Sequence, residues 1–166
     1  IAKMYPLSQY DNQPIKAYKK IGTESSMGCA GLLGAEAVVK FQKDVFLYRF
    51  DYHDIYWGKN IGAVHSIEMP FVFDTLDRKP ESLLLKGKNK KEMEGIAAIM
   101  QGYWVNFAKH GDPNGPGLPA WPADTKAKDQ YQELGAAIET KTALYKEACD
   151  LLSAAARERQ QGPAGA

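Results

Sequence analysis

His65 is the side chain of this sequence best placed to move a proton. It lies in Gly62-Ala63-Val64-His65-Ser66-Ile67-Glu68-Met69-Pro70-Phe71-Val72-Phe73, shortly after a run, Val45 to Tyr52, that is apolar or aromatic at nearly every position. Such a run suits a parallel strand covered on both faces, and open α/β sheets bind and react at the carboxyl ends of their strands. Imidazole can take a proton from a hydroxyl and return it to a leaving group near neutral pH. A catalytic base is therefore expected at this place. The other titratable groups offer less. His53 with Asp51 and Asp54 provides metal-ligand types, but no third well-spaced histidine accompanies them, and a rim contact is the simpler reading. His110, directly before Gly111, reads as a helix-end residue whose positive form would suit the helix dipole.

The context of His65 is specific. Leu47-Tyr48-Arg49-Phe50, a loop, and then the run from Gly62 to Phe73 resembles the histidine region of the type B carboxylesterases, the family that includes the cholinesterases. The resemblance continues through Met100-Gln101-Gly102-Tyr103-Trp104-Val105-Asn106-Phe107-Ala108-Lys109-His110-Gly111-Asp112-Pro113-Asn114-Gly115 and Trp121-Pro122, like the helix, turn and tryptophan that follow the histidine in that family. Upstream, Ile21 to Cys29 is a thinner match, with Glu24 where the family usually has aspartate. The resemblance implies an α/β-hydrolase fold, a carboxylic ester as substrate, and no cofactor or metal.

In that fold the triad runs as serine, then aspartate or glutamate, then histidine, with the serine in a G-x-S-x-G elbow. No such elbow occurs here. Glu24-Ser25-Ser26-Met27-Gly28 lacks the first glycine and follows no apolar strand, so Ser26 reads as a helix-start residue. The expectation is the carboxyl-terminal part of a hydrolase, residues 1–159 belonging to one α/β-hydrolase domain and 160–166 forming a flexible tail. It would supply the triad histidine but neither nucleophile nor acid, and the remainder of the hydrolase would be its partner. A relative that has lost catalysis and serves adhesion or binding, as the neuroligins do, is the alternative the same resemblance leaves open. A free-standing interaction module is the third.

Further residues take roles from the resemblance. Glu68, three residues after His65, is either a carboxylate holding the histidine loop, as in the cholinesterases, or a helix-start acid. Tyr56 and Trp57 would line a substrate gorge or pack on their own loop. Ser66 stands where the cholinesterases have glycine, and Asp74 where a glycine often follows Phe-Val-Phe. Cys29 and Cys149 match cysteines that are bonded in the vertebrate cholinesterases. A bond here would imply an oxidising compartment, secreted or periplasmic; two buried free thiols are the competing reading.

The elements that must position these groups are read from pattern. Pro14 to Ile21 is expected as a short helix stopped by Gly22, and Ser25 to Phe41 as a second, with Gly28, Gly31 and Gly34 packed closely on one side. The strand at 45 to 51 precedes the His65 loop, and a helical turn follows through Phe71 to Leu76. Met93, Ile96, Met100, Tyr103 and Phe107 recur at helical spacing over Lys91 to Lys109, with Gly111 as the stop. Tyr131 to Leu134 reads as a short edge strand and Thr142 to Arg159 as a final amphipathic helix. The segment is thus predominantly helical with one or two strands of a larger sheet, whose other strands must lie elsewhere.

Composition excludes several classes. In 166 residues, 45% hydrophobic with net charge +1, there is length for one domain with a core, and the near-neutral charge argues against a nucleic-acid partner, whose binding would need a clustered basic face. The basic run Lys86 to Lys91 reads as a solvated loop, and no apolar stretch approaches a membrane span.

Overall fold

The structure, a computed structural model, describes residues 2–56, 58–79, 85, 89–123 and 129–161. Trp57, part of the basic run and residues 162–166 of the expected tail lie outside the described residues. The chain divides into two compact units, residues 1–41 with 143–166, and residues 42–142.

The first unit holds one long helix and, among the described residues, the final helix of the chain, Lys146–Gln161. Helices α1 (Pro14–Thr23) and α2 (Cys29–Val38) are joined without a break by a π-helical turn, Glu24–Gly28. The expected stop at Gly22 is therefore absent. A helix-interior glycine costs only about 1 kcal/mol, and the anchoring one turn further on outweighs it. Glu24 is buried, accepts a hydrogen bond from the Tyr5 hydroxyl, and pairs with Lys20 Nζ at 2.8 Å. That ammonium lies 5.0 Å from the centroid of the Tyr145 ring, whose edge occupies the space a Cβ on Gly28 would need. Gly28 thus packs closely, whereas Gly31 and Gly34 face open space among the described residues, so close packing accounts for one glycine of the three. Ser26 is no helix start: it sits within the π turn and donates its hydroxyl to Gly22 O at 2.6 Å.

The second unit holds the sheet. Strands β1 (Tyr48–Phe50), β2 (Gln130–Leu134) and β3 (Ile138–Thr142) lie in that order. β1 runs parallel to β2, with Tyr48 beside Gln132 and Phe50 beside Leu134. β2 and β3 form an antiparallel hairpin with Leu134 opposite Ile138. The third strand goes beyond the one or two expected, and β1 is not buried on both faces. Tyr48 and Phe50 contribute rings to the core side, while Arg49 points the other way to Asp51 (2.8 Å) and Glu133 (3.3 Å). An arginine with two carboxylates needs water or partners that an apolar cover would not supply.

Among the described residues the unit also holds two single-turn helices and one long one: α3 (Gly58–Ile61), α4 (Met69–Val72) and α5 (Lys90–His110). Helix α5 follows the periodicity. Asn89 caps it by accepting from Glu92 N, Gly111 ends it at φ +72°, and Met93, Ile96, Met100 and Tyr103 are buried. Phe107 falls off the buried stripe, meeting Phe46 edge-on at 5.9 Å.

The turn after α5 explains the motif Gly111 to Gly115 and its distant Trp121. Asn114 accepts from Trp121 N (2.7 Å) and donates to Trp121 O (2.8 Å) and to Asp112 Oδ1 (2.7 Å). The Asn114 backbone N–H, 2.9 Å from Asp112 Oδ1, and then its side-chain amide hold the Asp112 carboxyl below the usual carboxylate range. The tryptophan so fixed is buried against Tyr103 and reaches Leu47 O with its indole N–H at 3.2 Å, just before β1. Asn114→Ala removes three hydrogen bonds, two of them to the backbone of the buried Trp121, and is expected to cost about 2 to 3 kcal/mol. Urea denaturation checks this; a loss under about 0.5 kcal/mol would show that Trp121 is held by packing alone.

Candidate active site

The segment carrying His65 is fastened on both sides. Val64 is half-buried against the core and Ile67 is buried within it. Ile67 N donates to Val64 O at 3.2 Å, closing a turn with His65 and Ser66 at its corners. Ser66 has φ +68°, while His65 is not among the residues of positive φ. This sign pattern is that of a type II turn, whose third residue must adopt the left-handed conformation. Immediately after it, α4 starts with Pro70 near its first turn, as proline's fixed φ favours. Phe71 is fully buried, packed on Phe50 and Tyr52 at 5.1 and 5.6 Å between ring centroids, and its carbonyl accepts from Gln101 Nε2 at 3.1 Å. Core contacts thus hold everything around the turn, and the turn lifts His65 out of the core.

The imidazole is exposed and makes no side-chain hydrogen bond among the described residues. It is a presented group, open to partners from outside these residues. Glu68 is half-buried at the N-cap of α4, but its side chain does not cap the helix; only its carbonyl serves, accepting from Phe71 N and Val72 N. Its charge bears on Tyr48, whose hydroxyl is pushed up, first by burial and then by Glu68. No hydrogen bond joins Glu68 to His65 among the described residues.

The remaining candidates are spread out. His53 Nδ1 lies 2.9 Å from Asp51 O in an exposed loop, and among the described residues no three His, Cys, Asp or Glu side chains converge as a metal set would. Tyr56 is exposed. His110 ends α5. In the other unit, Cys29 and Cys149 are joined by a disulfide, with Cα atoms 5.3 Å apart. An aromatic recess outside the sequence expectations opens between Phe46, Tyr48, Trp104, Phe107 and Trp121, with a volume of about 190 Å³. Its signal in the sequence is the density of aromatics at 46 to 52 and 103 to 107.

A parallel strand pair, a histidine turn beyond it and a helix packed behind define a portion of an α/β hydrolase, and comparison with known proteins gives the same fold. The carboxylesterase EST55 of Geobacillus stearothermophilus matches 65% of this chain with a TM-score of 0.54 at 34% identity, using 21% of its own length. The model of the "Carboxylesterase family" matches residues 1–152, and the chain belongs to that family. Carboxylesterase 5A of Felis catus is 38% identical over 78 residues, which is 47% of this chain and 14% of the relative. Human "Cocaine esterase" is 38% identical over 95 residues, 54% of this chain and 16% of the relative. These residues therefore span less than a fifth of the curated relatives they match. No described helix is long and apolar enough to cross a membrane.

Proposed function

We propose that these residues form the carboxyl-terminal part of a serine-dependent carboxylic ester hydrolase and that His65 is its general base and acid. The observation that carries this reading is the presentation of His65: an imidazole at the exposed corner of a turn held by Val64 and Ile67, in a chain of the carboxylesterase family. A serine from the remainder of the hydrolase attacks the ester carbonyl as His65 takes its proton. The imidazolium returns that proton to the departing alkoxide, and the acyl-enzyme is then opened by water with the same base acting again. A carboxylate outside these residues orients the ring, and backbone N–H groups there hold the oxyanion. Glu68 serves to hold the turn. The remainder is the partner because the chain covers only 21% of the structure it resembles and leaves Tyr18 and Phe41 among its exposed large side chains. The disulfide fits an oxidising compartment, secreted or periplasmic.

The test uses the full-length protein and these residues alone. The full-length chain is expected to hydrolyse p-nitrophenyl acetate and to be labelled at a single serine by a fluorophosphonate. Residues 1–166 alone are expected to hydrolyse the ester no faster than free imidazole at equal concentration, since a base without its nucleophile has nothing to activate. No labelling and no turnover by the full-length chain would favour the inactive, adhesive alternative; turnover by the short chain would overturn the division of roles.

A further inference from the structure

We infer that Ser66 is a positioning residue for His65, setting the imidazole's direction through the left-handed backbone conformation it is forced to hold. The inference rests on the general-base reading of His65. Of the four residues of the turn, the outer two are tied to the core and to each other by the 3.2 Å bond from Ile67 N to Val64 O, so neither can move to accommodate a change at the corners. Ser66 O accepts in turn from Met69 N at 3.2 Å, joining the corner to the start of α4. Ser66 at φ +68° is therefore fixed from both directions. Left-handed residues with a Cβ are held there only when the surroundings over-determine them, and such strain collects at functional sites.

The geometry makes the dependence one-way. If residue 66 leaves the left-handed region, the peptide between 65 and 66 must flip or the Ile67 to Val64 bond must break. Either change redraws the backbone from which the imidazole projects. The serine hydroxyl is not what matters: Ser66 is exposed and its Oγ makes no hydrogen bond among the described residues. Glycine, which takes this conformation without cost, should preserve the direction; alanine, with the same Cβ and no hydroxyl, should match serine; a β-branched residue should lose it.

The experiment is a series at position 66 in the full-length enzyme with p-nitrophenyl acetate, alongside His65→Ala. Ser66→Gly and Ser66→Ala are expected to keep kcat within about twofold, and Ser66→Val to lower it roughly 10- to 100-fold, with KM moving less than about threefold. Displacements of about 1 Å at a reacting group cost this much. The split between kcat and KM separates positioning from general loosening, which would move both. Ser66→Val at kcat within about twofold of the parent overturns the inference, as does a clear loss shared by Ser66→Gly and Ser66→Ala, which would assign the effect to the hydroxyl. If Ser66→Val does not fold, Ser66→Thr, which keeps the hydroxyl and adds the β-branch, decides by the same loss in kcat. Should His65→Ala itself leave kcat unchanged, the general-base reading falls; should it abolish turnover while the Ser66 series is flat, only the positioning role falls.

Discussion

Replacing His65 by alanine in the full-length enzyme is expected to lower kcat for a p-nitrophenyl ester by roughly 10⁴- to 10⁶-fold, the scale on which loss of one member of a serine triad is felt. In transition-state terms that is about 5 to 8 kcal/mol. The effect should fall on the chemical step, since the imidazole moves a proton in the transition state and contributes little to holding the ground-state ester. It should not fall on stability. His65 is exposed, lies at the corner of a turn whose anchors are Val64 and Ile67, and has no side-chain hydrogen bond among the described residues to lose. Substitutions of that kind stay within about 0.5 kcal/mol. The diagnostic result is thus a large kinetic loss with an unchanged melting curve. A fall in kcat of less than tenfold would sink the assignment of His65, and a comparable loss accompanied by unfolding would make it a structural residue.

How much of this site is legible in the sequence depends on the kind of force that builds each part. The histidine turn is legible because its neighbours are driven by burial: Ile67 and Phe71 are core residues, and the apolar run before them marks the sheet. Helix α5 is legible for the same reason, its buried residues recurring at the helical period and Asn89 and Gly111 supplying local signals at the ends. What the sequence hides depends on partners distant along the chain. Gly22 looks like a stop until Lys20, Tyr5 and Tyr145 are brought together about Glu24 and Gly28, because propensity is a weak term that the ion pair to the buried Glu24 and an aromatic contact override. Strand β3, Ile-Glu-Thr-Lys-Thr, has no apolar alternation after Ile138, and its order comes from the hairpin with β2 and from Lys141 reaching Glu133. Ser66 and Asp74 stand out in the sequence only as departures from a family's glycines. The structure gives those departures a common physical meaning, since both residues have positive φ, +68° and +52°. The half-exposed character of β1 is hidden because it falls on Tyr48, an aromatic that reads as core, and on Arg49, which is held by two carboxylates.

Cys149→Ser is expected to destabilise the first unit by about 4 kcal/mol. The disulfide closes a loop of sequence separation 120, and the entropy removed from the unfolded chain by a closure of that length amounts to about 4 to 5 kcal/mol at room temperature. Residual structure in the unfolded state reduces the measured share, which places the expectation at the lower end. The location makes the loss selective. This unit is discontinuous, residues 1–41 and 143–166 being separated along the chain by the whole of the second. Apart from the cross-link, the described ties between its two parts include the Lys20 ammonium over Tyr145 and the packing of that ring at Gly28. These are contacts worth about 1 kcal/mol each at exposed or partly exposed sites. Removing the bond should therefore speed backbone hydrogen exchange over 14–38 and 146–161 by roughly 10²- to 10³-fold while leaving the protected amides of α5 between Met93 and Tyr103 nearly unchanged. The same pattern should follow treatment of the parent with a thiol reductant. Uniform exchange in the variant and the parent would remove the bond from the stability of the unit. Titration of two thiols in the unreduced, denatured protein would show that it does not form, and with it would go the case for an oxidising compartment.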